Sequence, residues 1–136
     1  MPIAGFDHIA LPTSAPETLL AFYGRLGFRV PDVEEWRSSD MPFFSIFFGT
    51  QKINFHTEAM WKNPDFGLRG PTSVPGCGDL CFVWEGGSVA LAELLESAGA
   101  PIVAGPFELE GARGPGTSVY IRDPDDNLLE FIVYEG

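Results

Sequence analysis

Two histidines, His8 and His56, and one acidic residue, Glu130, stand out in this chain because each lies in a run of residues that otherwise reads as a β-strand. His8 falls in Asp7-His8-Ile9-Ala10-Leu11, His56 ends Gln51-Lys52-Ile53-Asn54-Phe55-His56, and Glu130 interrupts the apolar stretch Leu128-Leu129-Glu130-Phe131-Ile132. An ionised carboxylate among hydrocarbon side chains is strongly disfavoured unless a cation or hydrogen-bond donor meets it. A divalent cation held by two neutral imidazoles and one carboxylate removes that penalty. It also leaves coordination positions open to water or substrate, which separates a catalytic metal site from a closed structural one. His8, His56 and Glu130 are therefore the candidate metal ligands, and iron, manganese, nickel or zinc would each suit the set.

Those residues must be carried by strands whose alternate side chains face opposite ways. By that count His8 and Ala10 share one face and Ile9 and Leu11 the other. Asn54 and His56 share a face, as do Leu128, Glu130 and Ile132. The apolar sets point to a core, and the polar sets to an open side.

The elements repeat. Asp7 to Leu11 has a counterpart in Asp79-Leu80-Cys81-Phe82-Val83, and Gly27 in Gly99, both at an offset of 72; Gln51 to Phe55 matches Asn127 to Phe131 at an offset of 76. Each half reads as strand, helix and three strands. Ser14 and Glu17 form a capping box at the start of the first helix, and Ser88 caps the second. Leu19, Phe22, Tyr23 and Leu26 form an apolar stripe, Leu91, Leu94, Leu95 and Ala98 form another, and Gly27 and Gly99 end the two helices. Strands are expected near 29–37, 42–48 and 51–57, then near 101–110, 117–123 and 127–134. The stretch Asp123-Pro124-Asp125-Asp126-Asn127 has hairpin chemistry. The expectation is an α+β fold, a single domain of two paired βαβββ modules forming a curved mixed sheet around a metal-site cavity. Module one covers 1–60, a linker 61–78 and module two 79–136.

Nineteen acidic against eight basic side chains give a formal charge of −11. No basic face can form against that surplus, so nucleic acid and anionic membrane surfaces are poor partners. With 45% hydrophobic residues the chain has ample material for a core, which excludes disorder. No run approaches the roughly 20 apolar residues of a membrane span, and the N-terminal stretch lacks signal-peptide features, so a cytoplasmic location is expected. Cys77 and Cys81, if on one extended segment, stand about 13 Å apart, beyond disulfide reach, and read as buried reduced thiols.

The segments Phe6-Asp7-His8-Ile9-Ala10-Leu11, Phe22-Tyr23-Gly24-Arg25-Leu26-Gly27-Phe28, Gln51-Lys52-Ile53-Asn54-Phe55-His56, Gly78-Asp79-Leu80-Cys81-Phe82 and Arg122-Asp123-Pro124-Asp125-Asp126-Asn127-Leu128-Leu129-Glu130 together resemble the vicinal oxygen chelate superfamily, which includes glyoxalase I, extradiol dioxygenases and the fosfomycin and bleomycin resistance proteins. Among its members the chain is most similar to the glyoxalase domain-containing protein 5 and virulence-associated subgroup. The resemblance implies a divalent metal acting as a Lewis acid on a small substrate with vicinal oxygens, in lyase, isomerase or ring-cleaving dioxygenase chemistry. It implies a homodimer, with the site built within one chain or between two. His8 matches the ligand of the opening strand and Glu130 that of the final strand. Leu80 stands where relatives place a further ligand, and Asn54 at the position equivalent to Glu130, so Asn54 or His56 completes the shell. Tyr120 matches a substrate-contacting position and, beside a catalytic Glu130, can donate a proton. Asn54, Ser118, Arg122, Trp61 and Arg113, the last on a flexible glycine-rich loop, are candidate substrate contacts. The alternative is a metal-free small-molecule binding protein of the bleomycin-resistance type.

Overall fold

The computed structural model describes residues 1–134; Glu135 and Gly136, the last residues expected of module two, lie outside the described residues. The chain divides into two compact units, 1–77 and 78–136. Of the stretch 61–78 expected as a linker, residues 61–77 fall in the first unit and Gly78 in the second.

The first unit runs β1 (His8–Pro12), α1 (Pro16–Arg25), α2 (Val33–Ser39), β2 (Phe43–Phe48), β3 (Gln51–His56) and α3 (Glu58–Trp61). Its three strands are ordered β1-β3-β2, with β1 parallel and β2 antiparallel to β3. The predicted stripe of α1 packs on this sheet: Leu19 and Tyr23 are fully buried, with Phe22 and Leu26 close behind. Opposite them lie Phe44, Ile46, Ile53 and Phe55, the helix-facing residues of β2 and β3. Tyr23 stands edge-on to Phe22 and Phe28 and tilted against Phe55, with centroids 5.3 to 5.4 Å apart, the spacing that aromatic quadrupoles favour.

Two local expectations for this unit are corrected. The capping residue of α1 is Ala15, not Ser14; Pro16 opens the helix, and the Ala15 amide donates to Thr13 Oγ1 at 3.0 Å. Glu17 is drawn away from a capping box by Arg37, with which it pairs. The expected strand at 29–37 shrinks to a bridge between Arg29 and Phe47 followed by α2. The reason is local. Asp32 accepts the Glu35 amide at 3.1 Å as an N-cap, Glu34 and Glu35 suit the positive helix start, and Arg37 pairs with Glu34 one turn on.

The second unit runs β4 (Asp79–Val83), α4 (Ser88–Ser97), β5 (Ala104–Gly111), β6 (Gly114–Arg122) and β7 (Leu128–Val133), with strand order β4-β7-β6-β5. This is strand, helix and three strands, as predicted. Leu91 and Leu95 of α4, and Ala98 just after it, are buried, as are Phe82, Ile121, Leu129 and Phe131. Gly87, not Ser88, holds the α4 cap position. The residues between β6 and β7 form a buried lock. Asp123 Oδ1 accepts the amides of Asp125 and Asn127 at 2.9 and 3.0 Å, Asn127 Nδ2 donates to Asp123 Oδ2 at 2.8 Å, and Asn127 Oδ1 accepts the Gly78 amide at 2.8 Å. That lock fixes the start of β7 against β4 and so the height of Glu130 in the sheet. No helix among the described residues is long and apolar enough to cross a membrane.

Candidate functional site

In the first unit the register aligns open-face side chains into three rows across the sheet. The first row is Arg29, Phe47, Lys52 and His8; the second is Ser45, Asn54 and Ala10; the third is Phe43, His56 and Pro12. Asp7 accepts a hydrogen bond from His8 Nδ1 at 2.6 Å, and the imidazole in turn holds the Asp7 carboxyl below its ordinary pKa. With Nδ1 occupied, Nε2 is the nitrogen left to coordinate, the arrangement in which a carboxylate orients a metal-binding histidine. Ser45 Oγ donates to Asn54 Oδ1 at 2.6 Å, and Lys52 Nζ reaches Ser45 Oγ at 3.5 Å.

His56 has other company. It lies on the same face as His8 but four residues further along, roughly 13 Å of strand. Its ring meets Phe66 at 5.6 Å and Phe43 at 6.4 Å. Partial burial, and then the Arg69 charge, push its pKa below the ordinary histidine value. Ala10, Pro12, His56, Trp61 and Arg69 line a small cavity there. Trp61, a predicted substrate contact, spends its indole N–H on Thr13 O at 3.0 Å and carries the Arg69 guanidinium 5.9 Å over its ring.

In the second unit the middle row of the open face is Cys81, Glu130 and Tyr120, flanked by Asp79, Leu128 and Arg122 on one side and Val83, Ile132 and Ser118 on the other. Ser118 is fully buried and its hydroxyl donates to Glu130 Oε2 at 2.6 Å, and the Tyr120 phenol and Cys81 thiol also hydrogen-bond the Glu130 carboxylate. Tyr120, raised in pKa by its surroundings and then by Glu130, stays a protonated phenol at neutral pH. Partial desolvation of the sulfur, and then the Glu130 charge, push the Cys81 thiol up to about 12, even though the residue keeps a solvent-accessible side. The polar row is therefore one carboxylate between two neutral hydrogen donors.

Three predictions change here. Cys77 and Cys81 are free, as expected, but exposed rather than buried, because Cys81 takes the Glu130 parity and Cys77 precedes the strand. Pairing Ala10 with Asn54 and Cys81 with Glu130 sets the opening strands at an offset of 71, not 72. The counterpart of His8 is then Asp79, an oxygen donor, and Leu80 faces the helix side. The extra residue lies between β4 and α4, a connection one residue longer than that between β1 and α1. Arg113 belongs to a two-residue hairpin turn between β5 and β6, not a flexible loop, and stands 5.6 Å over the Tyr134 ring. Arg122 donates from Nη1 to Asp126 O at 3.1 Å and so braces the turn before β7.

Sequence parity found Asn54, Ser118, Tyr120 and Glu130 on open faces. It missed Lys52, which the same count places two residues before Asn54, as well as Arg29 and Phe47, whose row depends on a bridge that sequence patterns do not signal. Each unit by itself offers donor types that suit a divalent cation of hard or borderline character: the first an imidazole oriented by a carboxylate and an amide oxygen, the second a carboxylate oriented by a serine. Among the described residues, no three His, Cys, Asp or Glu side chains gather into one such group.

No family model matches the chain. Individual relatives do. The chain is 33% identical over 135 residues to the glyoxalase domain-containing protein RDO1 of Mycosarcoma maydis, covering 99% of this chain and 71% of that protein. It is 36% identical over 135 residues to virulence protein STM3117 of Salmonella typhimurium, covering 98% and 87%. The crystal structure of that virulence protein superposes with a TM-score of 0.83 over 99% of this chain and 100% of that one. A lactoylglutathione lyase from Agrobacterium tumefaciens, 20% identical, shares the fold at a TM-score of 0.70 over 97% and 95% of the two chains. A bleomycin resistance determinant encoded on transposon Tn5, 21% identical, does so at 0.61 over 98% and 100%.

Proposed function

We propose, from the premise that this chain belongs to the vicinal oxygen chelate superfamily as a glyoxalase-domain protein, that it is a divalent-metal-dependent enzyme acting on a small substrate with vicinal oxygens. His8 and Glu130 are the proposed protein ligands. Asn54, in the row next to His8, is the better candidate than His56 to complete the shell, because coordination bonds of about 2 Å cannot span four residues of strand. Asp79, the register counterpart of His8, offers a further oxygen. When bound, the metal supplies Lewis-acid stabilisation of a developing oxyanion.

The chain's own residues do the rest. Asp7 holds the His8 ring in one tautomer and orientation. Ser118, by donating to Oε2, holds the Glu130 carboxylate in one orientation on β7. Tyr120 keeps its phenol proton and donates it as a hydrogen bond to a substrate oxygen beside Glu130, the role of a general acid in lyase or isomerase chemistry. The observation that carries the reading is that each unit presents one oriented donor on its open face, the half-exposed His8 held by Asp7 on β1 and Glu130 held by Ser118 on β7. Homodimerisation is part of the proposal.

Elemental analysis of protein purified without added metal, then chelation and reconstitution with manganese, nickel, zinc and iron(II), tests it. About one metal per chain, lost in His8→Ala, is the expected result. A protein that takes up no metal, yet holds a small molecule, would be the metal-free binding protein instead.

A further inference from the structure

The first row of the open face carries two cations in a chain with a formal charge of −11. The Arg29 guanidinium lies 5.1 Å from the centroid of the Phe47 ring and Lys52 Nζ lies 6.0 Å from the same centroid. Arg29 makes no ion pair among the described residues. Lys52 acts on the Asp7 carboxylate only through its charge, and that carboxylate is already engaged by His8 Nδ1. Phe47 is 39% exposed. Beside the row opens a groove of about 680 Å3, lined by Arg29, Trp36, Met41, Phe43 and Phe47, with Glu35 as its carboxylate. With so many acids on the chain, two cations left around one accessible ring beside an apolar groove match a ligand with a flat hydrocarbon body and a negative end.

We propose that Arg29, Phe47 and Lys52 form a subsite for an aryl carboxylate, with the acid group between the two cations and the ring against Phe47 and the groove. Since His8 continues the same row, the substrate class becomes a planar aromatic acid whose vicinal oxygens lie toward His8. The assignment of this class rests on the metal-site reading above; the subsite itself does not. Arg suits the task because its planar fork binds a carboxylate in two-point fashion while stacking on an aromatic face. Lys52 adds a mobile point charge that also reaches Ser45 and, through it, Asn54.

Benzoate, benzamide and inorganic phosphate are the probes, titrated into the intact protein and followed by amide chemical shifts. Benzoate should bind about tenfold more tightly than isosteric benzamide and than phosphate, and Arg29→Gln with Lys52→Gln should remove that preference. Raising the salt from 0.05 to 0.5 M should weaken benzoate, not benzamide. Equal binding of benzoate and benzamide, an unchanged preference in the double variant, or no shift near Phe47 would overturn the subsite. His8→Ala separates the two readings: benzoate binding retained with metal uptake lost supports both. Metal uptake by the wild type with no benzoate preference sinks only this one.

Discussion

Replacing Asn127 by Ala should cost the second unit about 3 kcal/mol. Asn127 is 1% exposed and its side chain makes two of the bonds in the lock before β7, donating to Asp123 Oδ2 at 2.8 Å and accepting from the Gly78 amide at 2.8 Å. Alanine leaves the Gly78 N–H, itself buried, without that acceptor, a loss of about 1–3 kcal/mol. It also deletes a hydrogen bond to a carboxylate, about 1.5–3 kcal/mol in general. Partial relaxation of the turn places the sum near the lower half of that combined range. At this chain length about 3 kcal/mol corresponds to a fall in Tm of about 10 °C. Urea unfolding followed by circular dichroism should show a lower midpoint with an unchanged slope. Asn127→Asp should also destabilise, because it sets a second carboxylate against Asp123. A loss below about 1 kcal/mol in Asn127→Ala would refute the view that this lock sets the height of Glu130.

Asp32→Ala should cost about 1 kcal/mol by removing the α2 cap, and no change in urea midpoint would count against the helix that replaces the expected strand. Iodoacetamide at pH 8.5 should label Cys77 at least about tenfold faster than Cys81, whose pKa is pushed up to about 12; mass spectrometry showing equal rates would contradict the Cys81–Glu130 contact. Because native Cys81 keeps its proton where the unfolded chain loses it, that group's contribution to stability is full below about pH 9 and declines between about 9 and 12. His56 has the opposite sense. Its lowered native pKa makes its contribution full above about 6.5 and diminishing as the pH falls below, and NMR should find its imidazole titrating below 6.5. Asp7→Asn should weaken metal affinity about 10- to 100-fold without unfolding the protein, as titration calorimetry would show, through loss of the hold on His8.

The sequence made the helix stripes and strand faces legible because burial imposes fixed periods on them: Leu19, Phe22, Tyr23 and Leu26 follow the helical period, and Ile53 and Phe55 alternate with Asn54 and His56. The repeat at an offset of 76 identified Asn54 and Glu130 as equivalent. Sequence patterning failed where one competing interaction decided the outcome. Residues 29–37 have strand-forming side chains, yet Pro31 and the Asp32 cap start a helix there. The opening strands looked aligned at His8 and Leu80 because both follow an aspartate, while the longer β4–α4 connection shifts the register by one and exchanges Leu80 for Asp79. Ser14 and Glu17 satisfied a capping pattern, but Arg37, 20 positions on, claims Glu17. The cationic row around Phe47 depends on a single bridge to Arg29 and has no local signal at all.

Under the proposed function, His8 and Glu130 serve one divalent ion. Only two imidazoles occur in the chain, so their proton resonances can be assigned with one His56→Gln variant and followed as manganese(II) is added below one equivalent. Selective loss of the His8 signals, abolished in Glu130→Gln, is the predicted result. His8 signals that persist in the wild type, or that broaden equally in Glu130→Gln, would contradict it.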